Sequence, residues 1–382
     1  MEFLEEMEFV GEIPKGWKWV KLGDEIELLY GKGLTEKERK NGVYPVYGSS
    51  GIIGYHNDFL VKGPGIIIGR KGSVGEINLS KTDFYPIDTT YYLKLKNDND
   101  IFFFYYLLKT LRLNEINSHS AVPGLSREDV YSLYIPLPPF PEQKAIADVL
   151  SSIDDKIDLL HRQNKTLEEM AMTLFRQWFI EPTKDGLPDG WEEVSLGDSE
   201  LSKIIPSGIK KFEGFKTYLA TGDVEGTLIK GGVEITYNNR PSRANMQPEK
   251  YSVWFAKKEG VRKLLMFDDY SNTDKYVLST GFTGLKTTEL SHYYIWCFIL
   301  HEDFQDIKDS LVSGSVQPDI PNEAVLQIFI PRPPNEVLLS FNEKVKPLFT
   351  KIQFNNSQIR TLEKQRDTLL PKLMSGEVRV KI

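Results

Sequence analysis

The sequence predicts an α+β protein: two globular α/β domains separated by two long antiparallel helices that form a coiled coil. Three observations predict it. A heptad stripe occurs twice, the two ends of one large unit are repeated, and each repeat encloses short β-like runs punctuated by glycine.

In the first stripe, steps of four and three from Ile146 meet Leu150, Ile153, Ile157, Leu160, Asn164, Leu167, Ala171, Leu174 and Trp178. Neither Gly nor Pro interrupts Glu142 to Trp178. A seam of period 3.5 sustained this long supercoils one helix against another. At ~1.5 Å per residue the rod is on the order of 50 Å long. A shift of 195 residues places Phe341, Val345, Leu348, Ile352, Asn355, Ile359, Leu362, Arg366, Leu369 and Leu373 on the same positions. Thr166-Leu167-Glu168 then falls on Thr361-Leu362-Glu363. One such stripe also describes an amphipathic core helix; two complementary copies favour helices packed on each other. Asn164 and Asn355 interrupt the seams, where a polar residue costs stability and fixes register.

The entry to each half repeats as well. Pro14-Lys15-Gly16-Trp17, with Val20, Leu22, Gly23 and Asp24, returns as Pro188-Asp189-Gly190-Trp191, with Val194, Leu196, Gly197 and Asp198, at a constant shift of 174. Ile135-Pro136-Leu137-Pro138-Pro139 before the first stripe matches Ile330-Pro331-Arg332-Pro333-Pro334 before the second. Proline cannot continue a strand and pre-sets a first helical turn, so both runs are helix-entry breakers. The chain is a tandem duplication whose period is far longer than a solenoid repeat.

The middles are less alike. In the first half, β-like runs fall at Tyr44–Tyr47, Gly51–Tyr55, Gly65–Gly69 and Tyr91–Leu95, with a helix at 101–112. In the second, strands are expected near 215–220, 227–236, 251–256 and 263–267, with a helix over 291–311. A common frame holds two different globular parts.

Composition excludes several classes. Cys297 is the only cysteine, so there is neither a disulfide framework nor a thiolate metal cluster. The longest apolar run, Ile101–Leu108, is too short to span a bilayer, and the acidic start is unlike a signal peptide. A cytoplasmic protein without membrane contact is expected. The net charge of −7 is uneven: residues 1–12 carry −5, residues 13–140 carry +2 and residues 335–382 carry +4. No region is strongly basic, so nucleic-acid binding would come from local loops or from partners that supply charge.

No catalytic constellation stands out. Leu137-Pro138-Pro139-Phe140 resembles the Asn/Asp-Pro-Pro-aromatic motif of amino-group DNA methyltransferases, but Leu137 sits where a side-chain acceptor is needed. The glycines around Gly65 to Gly75 fit neither a dinucleotide fingerprint nor a P-loop. The five histidines lack metal spacing. The expectation is a non-enzymatic protein with no cofactor or metal of its own.

The loops are more informative. Arg70, Lys71 and Ser73 lie between glycines that allow close backbone approach, which suits phosphate contact or guanine reading; a tight hairpin with solvated charges is the plain alternative. Ser49, Ser50, His119 and Ser120 are weaker signals of the same kind. In the second half, Tyr237, Asn238, Asn239, Arg240, Arg243 and Asn245 combine amides that pair with adenine and arginines. Lys257, Lys258, Arg262 and Lys263 follow, interleaved with aromatics, and this stretch favours DNA contact over a solvated face. Ser315 and Gln317 occupy the place before the second helix that Ser118–Gly124 occupies before the first.

On these residues the chain resembles the specificity subunit of type I restriction–modification enzymes. The resemblance covers nearly the whole length. It rests on the doubled Pro-x-Gly-Trp…Val-x-Leu-Gly-Asp entry, on the Gln143-Lys144-Ala145-Ile146-Ala147-Asp148-Val149-Leu150 run after the first breaker, and on the ending Leu369-Leu370-Pro371-Lys372-Leu373-Met374-Ser375-Gly376. Asn335-Glu336-Val337-Leu338 departs from the usual Gln-x-x-Ile at the second helix. The resemblance implies target-recognition domains at 1–141 and 185–334, each reading half of a bipartite, asymmetric DNA site. It implies that the long helices, at 142–184 and 335–382, pair antiparallel about a pseudo-two-fold axis and set the spacing, on the order of 15 base pairs at ~3.4 Å each. It further implies two methyltransferase subunits and restriction/translocase subunits as partners, which carry S-adenosylmethionine, ATP and Mg. Two other readings stay open: a coiled-coil scaffold whose domains bind protein or small ligands, and a self-contained methyltransferase.

Overall fold

The computed structural model describes residues 13–116, 124–312 and 319–381. It is α+β, and it divides into two compact units. Unit 1 comprises the chain up to Leu159 together with Ile359 onward; unit 2 is Leu160–Gln358.

Unit 1 is built on an antiparallel four-stranded sheet in the order Ile26–Tyr30, Thr90–Leu95, Gly65–Gly69, Ile77–Ser80. The central Gly65–Gly69 strand is buried throughout, as expected of an unbroken β-branched run covered on both faces. A three-stranded sheet joins Gly51–His56, Tyr44–Gly48 and Tyr85–Pro86. The helix Ile101–Thr110 starts where the Asp100 carboxylate accepts from the Phe103 N–H at 2.8 Å, and buries Phe103, Phe104 and Leu107.

Unit 2 holds two four-stranded sheets. One runs Ser202–Ile204, Phe282–Thr287, Ser252–Ala256, Leu264–Phe267. The other runs Val233–Ile235, Lys216–Leu219, Tyr276–Ser279, Ala244–Met246, with its central pair parallel. The strand expected over 227–236 is divided into Leu228–Ile229 and Val233–Ile235, and the left-handed Gly232 between them marks the turn. The helix expected over 291–311 breaks at His301, which adopts extended backbone and caps Glu302–Ser310. Its first part, His292–Leu300, is apolar nearly all round and buried at every residue; the polar second part turns outward.

The repeated ends form the same ribbon in each unit. Lys18–Lys21 pairs antiparallel with Tyr134–Leu137, setting Val20 opposite Ile135. Glu192–Ser195 pairs with Phe329–Arg332, setting Val194 opposite Ile330. The prolines fit because each ribbon has only two strands, so an N–H can be missing without breaking a central ladder.

From each ribbon a long helix departs, Phe140–Phe175 and Asn335–Ser375. Both begin directly after the paired prolines, Phe140 and Asn335 being equivalent under the shift of 195, so the departure at 335–338 does not delay the second. Each unit contains part of both helices, packed antiparallel. In unit 1, Ile146 and Leu150 share a core with Leu369, Leu373 and Met374, and Asp154 meets Arg366 at 3.0 Å. In unit 2, Asn164 bonds to Asn355 and Asn356 at 2.8 and 2.7 Å, and the Phe179 ring lies 4.8 Å from Phe341.

The expected seam is buried at Ile146, Leu150, Ile157, Leu160, Val345, Asn355, Ile359 and Leu373. Ile153, Asn164, Leu167, Leu348, Ile352, Leu362 and Leu369 are half-buried. The pattern departs at Phe349, buried beside the half-buried Leu348, and most where Phe175 and Phe179 are fully buried while Leu174 and Trp178 are only partly so. There the helix widens to a π-turn at Arg176–Ile180 and packs on the globular core of unit 2. That core, including Tyr294, Leu338 and Phe341, moves the buried face by one residue.

Candidate nucleic-acid interface

In unit 1 the end of the four-stranded sheet brings together four residues far apart in sequence. Tyr30 closes the Ile26–Tyr30 strand and is half exposed. Its register partner Tyr91 lies behind it, ring centroids 5.1 Å apart. Burial first, then contact with Tyr30, pushes the Tyr91 phenol up to about 12. It therefore stays neutral and donates to the Leu125 carbonyl at 3.1 Å. Arg70 follows the neighbouring strand and lays its guanidinium 5.1 Å from the Tyr30 centroid. One Nη donates to the Asp88 carbonyl at 2.7 Å. Arg127, the first residue of the short helix Arg127–Ser132, approaches the same ring to 4.7 Å.

Around this cluster Lys71, Ser73 and Ser50 are exposed. Ser49 is buried, and its hydroxyl donates to the Lys71 and Thr89 carbonyls, so it ties the 70–75 loop to the neighbouring hairpin and faces inward. His119 and Ser120 lie outside the described residues.

In unit 2 the corresponding feature is local. Arg240 lies 3.9 Å over the Tyr237 ring and donates to the Tyr237 carbonyl. Phe212 meets the Tyr237 ring edge-on at 5.8 Å and carries Lys216 over it at 5.0 Å. Asn238 and Arg243 are exposed; the Asn239 amide oxygen is engaged by the Thr236 N–H at 2.6 Å, and Asn245 is half-buried.

The later basic run lies elsewhere. Lys263 donates to the Thr221 carbonyl at 2.7 Å, and Arg262 to the Leu300 carbonyl. Both line a cleft of about 530 Å³ with Lys230, Glu225 and three glycines. The buried Lys308 amine holds this loop through the Lys258 and Val261 carbonyls, at 3.2 and 2.9 Å. Lys258 is exposed; burial lowers the affinity of the half-buried Lys257 amine for its proton. Ser315 and Gln317 lie outside the described residues.

Sequence reasoning did not single out Tyr30 or Arg127. Tyr30 ends a strand without a turn motif, and Arg127 opens a six-residue helix; only the folded sheet places them beside Arg70.

Burial raises the Cys297 thiol well above its ordinary range, which keeps it a thiol. Burial likewise pushes His292 down to about 3. Among the described residues no group of three His, Cys, Asp or Glu is placed to hold a metal, and no helix is long and apolar enough to cross a membrane.

Each unit thus carries its own basic and aromatic surface on a repeated ribbon-and-helix frame. Residues 14–169 match the family described as the Type I restriction modification DNA specificity domain. The MjaIX specificity subunit of Methanocaldococcus jannaschii is 28% identical, over 100% of this chain and 98% of its own. The HindI specificity subunit of Haemophilus influenzae is 23% identical over 67% of this chain and 71% of its own. In fold the chain resembles the crystal structure of the type I S subunit from M. genitalium, with a TM-score of 0.64 at 19% identity, covering 97% and 98% of the two chains. The chain is thus similar over nearly its whole length to specificity subunits of type I restriction enzymes, and it shares the fold of a type I S subunit.

Proposed function

We propose that each unit reads one half of a bipartite, asymmetric DNA sequence, and that the paired helices set the distance between the halves and dock two methyltransferase subunits. The observation that carries this is the contrast inside the duplication. Ribbons and helix starts recur at equivalent positions, whereas the arginine–tyrosine surfaces they support are unlike. A repeated frame suits identical partners, and unlike surfaces suit two different half-sites.

Exposed apolar side chains support the docking. Tyr134 and Phe329 are both exposed and are related by the shift of 195 that superposes the helices; so are Leu159 and Phe354. A side chain kept exposed at both equivalent places suits a partner present in two copies. In this reading the target-recognition segments are 1–141 and 185–334, and the spacer and assembly segments are 142–184 and 335–382. The complex works in the cytoplasm. S-adenosylmethionine, ATP and Mg belong to the methyltransferase and restriction/translocase partners.

Mapping methylated bases in cells that carry the complete system tests the proposal. The expected result is a split, asymmetric motif in which Arg240→Ala relaxes one half only, by about 1–3 kcal/mol at a position. A continuous motif, or equal relaxation of both halves, overturns it. A second measurement separates DNA recognition from a protein-binding scaffold: duplex affinity of the reconstituted complex should fall steeply with salt.

A further inference from the structure

The Arg70 and Arg127 guanidiniums share one half-exposed tyrosine ring, at 5.1 and 4.7 Å. Neither makes an ion pair among the described residues. Their internal hydrogen bonds go to neutral acceptors: Arg70 to the Asp88 carbonyl at 2.7 Å, and Arg127 to the Leu28 carbonyl at 3.3 Å. The Arg70 Nε is buried and has no acceptor among the described residues. Two cations gathered at one aromatic ring repel each other, and among the described residues no carboxylate pairs with either. Such a pair is completed by an electron-rich ligand.

The bracing says which kind. Arg70 is fixed by its backbone at both sides, its N–H donating to the Thr89 carbonyl at 2.9 Å and its carbonyl accepting from Leu125 at 3.0 Å. Its side chain is fixed by the Asp88 carbonyl and by stacking. A phosphate contact needs charge and tolerates a mobile side chain; the edge of a base needs a planar fork held in one orientation. The exposed Lys32 and Lys71 at the same end of the sheet suit the phosphates.

We propose that Tyr30, Arg70 and Arg127 form the base-reading point of unit 1, with Tyr30 as the platform that holds two guanidiniums against guanine edges in the major groove. This rests on the reading of unit 1 as a half-site reader.

The test uses the reconstituted complex with its modification subunits and duplexes carrying every single-base change in the mapped motif. Arg70→Lys, Arg127→Lys and Tyr30→Leu are expected to lose about 5- to 150-fold of discrimination at one or two positions of a single half-site. Tyr30→Phe, which keeps the ring, is expected to retain it. Unchanged discrimination at the other half-site shows in each variant that the complex is folded and assembled. Full discrimination in the lysine variants overturns the proposal, as does an affinity loss uniform over all sequences, which would make the guanidiniums phosphate contacts. If the wild-type complex shows no sequence-dependent duplex binding, the half-site reading itself fails along with it.

Discussion

In unit 2 an arginine lies 3.9 Å over the tyrosine three residues before it. In unit 1 the same pairing of chemistries is assembled from a strand end, a loop and a short helix, with Tyr30, Arg70 and Arg127 spread over nearly a hundred residues. The supports differ too. Unit 1 fastens its ribbon and helix start through polar contacts: the buried Glu142 accepts from Trp17 Nε1 at 3.0 Å and from the Arg379 Nε and Nη2 at 2.8 and 2.7 Å. Gln143 beside it bonds to Asn99, Asp100 and Pro138. Unit 2 fastens its helix with rings, Phe175, Trp178 and Phe179 against Phe341. One ancestral frame can thus be held by charge or by aromatic packing, so long as the ribbon and the helix direction survive.

The largest expected effect breaks that contrast at a pair of equivalent positions. Phe341→Ala should cost about 3–5 kcal/mol and Ile146→Ala, at the matching place in unit 1, about 2–4. Denaturant unfolding of the two variants checks the order; equal losses would mean that the ring cluster adds nothing beyond ordinary burial.

Acidification separates the units by another route. His292 is buried neutral, its folded value near 3 against 6.5 in the open chain, so unfolding takes up a proton between those values. Stability of unit 2 is whole above pH 6.5 and is lost as pH falls toward 3, by at most ~1.4 kcal/mol per pH unit. In unit 1, hydrogen bonds from Arg379 and then Trp17 hold the Glu142 carboxyl below its ordinary 4.5 against the opposing effect of burial. Its contribution is whole above pH 4.5 and is lost only as the pH falls below that. Hydrogen exchange followed from pH 7 to 4 should therefore show the 292–300 helix opening before the 142–150 helix start. His292→Gln should flatten the first change, and Glu142→Gln the second.

The smallest effect is expected in the asparagine trio. Replacing Asn164, Asn355 and Asn356 together by leucine should be neutral or stabilising by about 1 kcal/mol, because all the hydrogen-bonding partners are removed at once. A loss above ~2 kcal/mol would assign the trio net stabilisation in place of register control.

Much of the architecture could be read from the linear order of residues. Both long helices were legible because a period of 3.5 is a property of neighbours in sequence, and the Tyr237–Arg240 pair was legible for the same reason. The break at His301 was not, since an apolar run followed by a polar one scans as a single helix. The strands Tyr276–Ser279 and Phe282–Thr287 were missed as well. Their environment is set by Lys216–Leu219 and Ser252–Ala256, which neighbour them only after folding.

The sequence by itself determined that the chain is doubled, where the two helices begin, and that the second half carries a basic and aromatic stretch where the first carries a basic, glycine-flanked loop. Only the tertiary structure decided that Val20 faces Ile135, that Phe175 and Phe179 replace Leu174 and Trp178 in the buried face, and that Arg127 reaches Tyr30. The physical reason is range. Helical periodicity and i,i+3 contacts are written between close neighbours, whereas strand pairing and the meeting of distant side chains depend on which surfaces are buried together once the chain has closed on itself.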